Sequence, residues 1–303
     1  MATAPAARPG RVATMNRRRF LSIAAAALAT PRGAQAAVWE GRGFGAAVSM
    51  RLEGADPARA SLTFDRLVTE IERMEQVFSL HRDSALTRLN RDGRLAGPPP
   101  ALLEVLALAR QVHDLTGGAF DPTVQPLWQA LATGGDQQAA RAAIGLCRVQ
   151  IDAREIRLAP GQALTLNGIA QGWAADRIAA LLRAEGYGHA LIDMGEMAIT
   201  GLRADRTPWR VTIAGPEGQA LREFALRGGA MATSSPRGTL IGAGQPHIVG
   251  PRAPLRPRWQ TVSVTAPHAA LADALSTAFC LMDRASITRT LAVCPGAEIA
   301  LLA

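Results

Sequence analysis

Lysine is missing from this sequence altogether, and all 33 basic residues are arginine. The first reading of that bias is a GC-rich genome, but it also excludes a lysine general base or a lysine Schiff base. Cysteine is scarce: Cys147, Cys280 and Cys294 make an odd count with no CxxC spacing, which supports neither a zinc site nor a complete disulfide framework. No apolar run approaches the roughly 18 residues that a membrane helix needs. Glycine-rich phosphate loops of the GxGxxG and GxxxxGK[ST] types are lacking, so any phosphate is held by other means. No GxSxG elbow precedes an ordered Ser, Asp and His set, which argues against a hydrolase triad. Internal repeats and long linkers are absent too.

What is present suits an ordinary globular protein: 303 residues, 48% hydrophobic and 19% charged, enough to bury a substantial core. The formal charge of +8 is concentrated at the start. Arg8, Arg11, Arg17, Arg18, Arg19 and Arg32 precede Ala37, and downstream 27 basic residues face 25 acidic ones. Nucleic acid is therefore not the expected partner. Residues 15–36, MNRRRFLSIAAAALATPRGAQA, run from a basic cluster through a short apolar stretch (21–29) into Ala34-Gln35-Ala36, a small-residue cleavage site. RRRFL resembles a twin-arginine export signal, which carries proteins out already folded. The expectation is a cleaved leader over 1–36, a mature domain over 37–303, and a periplasmic location.

Along the mature chain, 46–52 reads as a strand, and Asp56-Pro57 offers an N-cap and first-turn proline for a helix with Leu67, Val68, Ile71, Met74 and Phe78 at helical spacing. A second helix is expected after the prolines at 98–100, ending near Gly117-Gly118. Between them, 78–90 reads as a polar loop with a cap at Asp83 or Ser84. Short strand candidates follow at 147–152, 155–159 and 164–167, then a helix over about 171–185. Residues 190–233 read as strands between Gly, Pro and Asp turns, and 261–267 leads into a last helix pair and a terminal strand. Blocks of strands and helices without a βαβ repeat predict an α+β fold, one mixed domain rather than a Rossmann fold.

Four segments carry the chemistry. ADALST places Asp273 and Thr277 at i and i+4, on one helix face, where a carboxylate and a hydroxyl can reach one cation. Oxygen donors without His or Cys favour magnesium or calcium over zinc; taken alone, the same two residues also fit plain solvated or capping positions. The other segments are GGAFDPTVQPLW (117–128), LNGIAQGWAADRIAALLRAEGYGHALIDMGEMAITG (166–201), and ATSSPRG with HIVGP (232–251).

In this order, with FGA at 44–46 and SLHRDSALTRLN at 79–90, these segments resemble the ApbE family, the FAD:protein FMN transferases, over nearly the whole mature chain. Their counterparts there are GAFDPTVGPL, DLGGIAKGYAVD followed by NLGGD, TSG with HIIDP, and a strand leading to ADALAT. The resemblance implies that Asp273, Thr277 and the Ala170 carbonyl bind Mg2+, with Ser276 a ligand in some members. It also implies FAD contacts at Phe44, Leu80, Ala119, Phe120, Asp121, Asn167, Trp173 and Val249. Core packing is the plainer reading of Phe120 and Trp173, and an Asx turn that of Asp121. His247, the one histidine inside a motif, is the candidate base for the acceptor hydroxyl; His81, His113, His189 and His268 read as surface or capping residues. The implied activity is Mg2+-dependent transfer of FMN from FAD to a Thr or Ser hydroxyl, releasing AMP, with an FMN-binding domain of a periplasm-facing redox protein as acceptor. A flavin-binding protein without transfer and a metal-dependent FAD pyrophosphatase are the rivals. Four departures fall inside the motifs: Gln171 for a lysine, Gly250 for an aspartate, Glu196 and Met197 for glycine and aspartate, and SPRG for GxY after TS.

Overall fold

The computed structural model describes residues 36–252 and 255–303, so the leader read over 1–36 lies outside it apart from Ala36. A hairpin opens the fold. Strands β1 (Ala36–Gly43) and β2 (Ala46–Glu53) pair antiparallel from Ala36↔Glu53 to Gly43↔Ala46. Their two-residue turn puts both Phe44 and Gly45 at positive φ, 52° and 77°, the conformation that matches the twist of tight hairpins but disfavours a side chain. Phe44 is held there by its N–H, which donates to Glu75 Oε1 at 2.9 Å.

Helix α1 (Pro57–Phe78) starts as its sequence dictates, with the Asp56 carboxylate accepting from Arg59 N and Pro57 in the first turn. Its apolar stripe, Phe64, Leu67, Ile71, Met74 and Phe78, is buried. Helix α2 (Ala85–Asp92) replaces the end of the expected loop. Ser84 and Thr87 form a reciprocal capping box, and Gly93 closes the helix in the left-handed region. Strand β3 (Arg94–Ala96) leads to α3 (Pro100–Leu115). Two helices not read from the sequence follow, α4 (Gln125–Thr133) and α5 (Gln137–Ala143). Strands β4 (Gln150–Ile151) and β5 (Glu155–Arg157) form a small sheet with β3, in the order β3-β5-β4.

Residues 164–167 are not the expected strand. Leu164 and Leu166 are buried, but the backbone is satisfied locally: Leu164 N donates to Asn90 Oδ1 at 2.7 Å, Leu164 O accepts from Asn90 Nδ2 at 2.8 Å, and Thr165 N donates to Pro122 O at 2.8 Å. A side-chain amide thus does the work of a strand partner. Helix α6 (Ala170–Ala184) follows, then β6 (Ala190–Asp193), β7 (Met197–Thr200), β8 (Trp209–Ala214), β9 (Ala220–Leu226) and β10 (Gly229–Ser234). A short ribbon, β11 (Leu240–Ile241) with β12 (Gln245–Pro246), precedes β13 (Val262–Ala266), α7 (Ala269–Phe279), α8 (Arg284–Ala292) and β14 (Glu298–Leu302).

The main sheet has seven strands, ordered β1-β2-β6-β7-β10-β13-β14, every pair antiparallel. Alternation sorts its side chains between two cores. Ile192, Ala198, Ala230, Ala232 and Val264 face the helices. Leu191, Met197, Ile199 and Met231 face the β8–β9 ribbon, where Trp209, Val211 and Ile213 cover them. The α+β expectation holds, with strands and helices in layers rather than βαβ units.

Candidate functional site

The site is built where α6 crosses α7. Gly172 lies against the start of α7 so closely that a Cβ there would stand 2.3 Å from Ala269 O. Only a glycine lets the two backbones meet. Asp176, one turn further along α6, accepts from Ala269 N at 2.8 Å and Ala270 N at 2.9 Å. It therefore caps α7 from another helix, because His268, at the N-cap position, makes no capping bond with its side chain. This contact fixes the rotation of α7, and Asp273 then presents Oδ2 to Gly172 N at 3.2 Å. Thr277, a turn later, packs on Gly168, where a Cβ would come within 2.8 Å of its Oγ1. Ala170 lies between Gly168 and Gly172 in the same turn. Thus Ala170, Asp273 and Thr277 are brought together by two glycine contacts and one capping aspartate.

Ser276 adjoins this group. It is fully buried, its hydroxyl bonding Ser234 Oγ at 2.8 Å and donating to the Asp273 carbonyl at 2.9 Å. Ser234 Oγ also lies 3.3 Å from Thr277 Oγ1, which ties the end of β10 to the group. Burial pushes the Asp273 carboxyl up to about 8; Asp176 adds to the rise and the Gly172 N–H opposes it. Among the described residues no three His, Cys, Asp or Glu side chains converge on one point, so the donors available here are hard oxygens, which suit magnesium or calcium.

The second part of the site is the turn after α3. Gly117 and Gly118 take positive φ, 58° and 81°, and Thr116 Oγ1 accepts from Phe120 N at 3.2 Å. Asp121 does form the Asx-type cap: Oδ1 accepts from Thr123 N at 2.9 Å and Thr123 Oγ1 at 2.6 Å. His113 is no mere surface residue. Its Nδ1 lies 2.8 Å from Phe120 O and 3.6 Å from Asp121 Oδ2, so it braces the turn from α3. The Thr165 bond to Pro122 O joins this turn to the segment leading into α6, where Asn167 is exposed.

Phe44, Leu80 and Trp173 share the C-terminal end of α1. Trp173 meets Phe78 edge-on, ring centroids 5.3 Å apart, and is 9% exposed, while Phe44 and Leu80 are half-buried against the same core. Trp173 and Phe120 therefore do pack as core residues. Val249 stands apart with the α4–α5 cluster around Leu127 and Ala130. His247 lies just past β12. Its Nδ1 bonds to the carbonyls of Pro236 at 3.0 Å and Thr239 at 3.2 Å, so Nδ1 carries the proton and the neutral ring has its lone pair on Nε2. Burial holds its pKa below the ordinary histidine value. Pro236 is two residues beyond Ser234, whose hydroxyl reaches Ser276 and Thr277.

The sequence model of the ApbE family matches residues 44–301, nearly all of the described chain. The chain belongs to the ApbE family. The FAD:protein FMN transferase of Salmonella typhimurium is 28% identical over 270 residues, covering 80% of this chain and 77% of that protein. The transferase of the same name from Treponema pallidum is 29% identical over 265 residues, covering 73% and 71%. The flavin transferase ApbE from Vibrio cholerae superposes with a TM-score of 0.73 at 25% identity, over 86% of this chain and 91% of that one. The ApbE protein of Thermotoga maritima shares the fold, with a TM-score of 0.75 over 88% and 94% at 24% identity.

Against that family background the departures acquire structural reasons. Gln171 Nε2 donates to Met194 O at 3.0 Å and lies over Gly195, so the amide pins the β6–β7 turn to α6. At Gly250 a Cβ would come within 2.2 Å of Leu255 O; an ApbE-type aspartate could enter only if that segment moved. Sequence reading missed Asp176 as a cap and His113 as a brace. Asp176 lay in plain view four residues after Gly172, on the same helix face, but its partner is 93 residues away. The α6–α7 contact also gives a test. Gly172→Ala should destabilise the protein by about 1–3 kcal/mol through overpacking, lowering the melting temperature; a variant that melts as the native protein does would refute the close-approach role.

Proposed function

We propose that this chain transfers FMN from FAD to a threonine or serine hydroxyl of a partner protein in an Mg2+-dependent reaction that releases AMP. What supports it is that Asp273 bonds Gly172 N–H and Thr277 packs on Gly168, the two glycines flanking Ala170, in a chain whose relatives are named for FAD-to-protein FMN transfer. The oxygen donors fit a hard divalent ion, and one Asp273 oxygen, Oδ1, takes no hydrogen bond from a described residue. Bound there, Mg2+ would neutralise charge on the pyrophosphate oxygens as the phosphoanhydride breaks.

The chain's own residues do the rest. Asp176 and Gly172 hold Asp273 in register with Ala170. The braced turn at Ala119, Phe120 and Asp121, with Asn167, Trp173, Phe44 and Leu80, supplies a partly apolar wall for the flavin and adenine rings, whose flat faces suit aromatic packing; Val249, packed with the α4–α5 cluster, is not part of it. His247, neutral at pH 7, takes the proton of the acceptor hydroxyl on Nε2 as oxygen bonds to the FMN phosphorus and the bond to AMP breaks. Incubation of the purified protein with FAD, Mg2+ and an FMN-binding acceptor domain, followed by intact-mass measurement, tests the reading. The acceptor should gain one FMN. Unchanged FAD would indicate a binding protein, and free FMN plus AMP a pyrophosphatase.

The acceptor proposed is an FMN-binding domain of a redox protein facing the periplasm, reached after twin-arginine export. Among the described residues no helix is long and apolar enough to cross a membrane. Replacing Arg17, Arg18 and Arg19 with lysine should leave the precursor in the cytoplasm; unchanged export in a fractionation assay would refute the twin-arginine route.

A further inference from the structure

We propose that Glu196, where the ApbE motif has glycine, supplies a second carboxylate to the cation held by Asp273, so that this chain grips its divalent ion with two acidic side chains. The inference rests on the metal reading above and extends it to a residue particular to this chain.

Glu196 occupies the turn between β6 and β7 and is buried, 8% exposed. Its Oε2 accepts from Thr233 N at 3.0 Å, beyond Met231↔Met197, where the β7–β10 ladder ends. Thr233 is the neighbour of Ser234, whose hydroxyl reaches Ser276 and Thr277. On its other side the same turn is tied to the first turn of α6 by Gln171 and Met194 O. Glu196 is thereby fixed between the helix start that carries Ala170 and the helix face that carries Asp273 and Thr277.

The two carboxylates share a deficiency. Each has one oxygen satisfied by a backbone N–H, Glu196 by Thr233 and Asp273 by Gly172. Each has a second oxygen, Glu196 Oε1 and Asp273 Oδ1, that no described residue bonds. No side-chain nitrogen or oxygen sealed from solvent lacks a partner among the described residues, so neither of these two oxygens is fully sealed off. No arginine or histidine pairs with either group among the described residues. Two buried like charges without a counterion are strongly unfavourable, and a divalent ion coordinated by both free oxygens removes that cost. A larger acidic count in a hard-oxygen site raises divalent affinity.

Titration of the FAD-free protein with Mg2+ by calorimetry, alongside melting curves in EDTA and in Mg2+, tests this. Glu196→Gln keeps an oxygen for Thr233 N–H but removes the charge. It should weaken Mg2+ binding by about tenfold or more, on the scale of losing a supporting ligand, and should melt no lower than the native protein in EDTA. Glu196→Gly, which restores the family residue, should weaken binding similarly, and it keeps the test open if the glutamine variant folds poorly. Native affinity in both variants, with binding lost in Asp273→Asn, would overturn the role of Glu196 and leave the metal reading standing. Absence of Mg2+ binding by the native protein, or no change in Asp273→Asn, would overturn the metal reading and this inference with it.

Discussion

Asp273→Asn is expected to lower FMN transfer by about 10³-fold, because charge stabilisation at a transferring phosphoryl group is worth several kcal/mol, while the folded protein loses nothing it needs. Asparagine is isosteric and keeps an acceptor for Gly172 N–H. The stability side has a definite sign. The Asp273 carboxyl stands at about 8 in the folded chain against 3.8 for the free group. A raised carboxyl contributes stability that is fully present below the unfolded value and is lost as pH rises through the folded one. In EDTA, therefore, the native melting temperature should fall between pH 5 and pH 8, and Asp273→Asn should make that fall shallower, the remainder coming from other buried carboxyls such as Glu196 and Asp176. At pH 8 without metal the variant should melt at or above the native protein. Retained transfer at saturating Mg2+ would remove Asp273 from the metal site, and a variant melting well below native at pH 8 would make the carboxylate structural.

His247→Ala should reduce kcat by about 10²-fold or more, the usual contribution of a positioned general base, with KM for FAD nearly unchanged. Burial keeps the imidazole neutral to lower pH than usual, so the acid limb of the native rate profile should lie below the ordinary histidine range and disappear in the variant. The alternative is that the ring only staples the 236–247 loop through the Pro236 and Thr239 carbonyls. His247→Asn separates the two: it can donate to one carbonyl but offers no base. Restoration of most of kcat by asparagine would assign the histidine a positioning role.

How much of this was readable beforehand depends on the range of the interaction. Asp56-Pro57, the α1 stripe and the final β13–α7 passage follow from local capping and periodicity, and they stand where expected. The family motifs named the α6 and α7 residues, yet not why those helices meet; that depends on glycine contacts and on an aspartate acting across the fold. Residues 164–167 alternate like a strand but satisfy their backbone through Asn90, 74 residues earlier for Leu164. Ser276 entered only through the family resemblance, as a ligand in some members, and its bond to Ser234 was not legible from the motif. Glu196 read only as a departure from a motif. Its meaning came from what surrounds it.

The bond from Gly172 to Asp273 spans 101 residues of chain, and the Asp176 cap spans nearly as many. Contacts so distant in sequence form slowly, since the entropy of closing each intervening loop must be met before the contact stabilises anything. The main sheet is just as non-local, with β2 beside β6 and β14 beside β13 across α7 and α8. The crossing of α6 and α7 is accordingly a late event of folding. Whatever ligand that crossing selects is met by a nearly finished chain, and its uptake in a refolding time course should lag behind the appearance of helix.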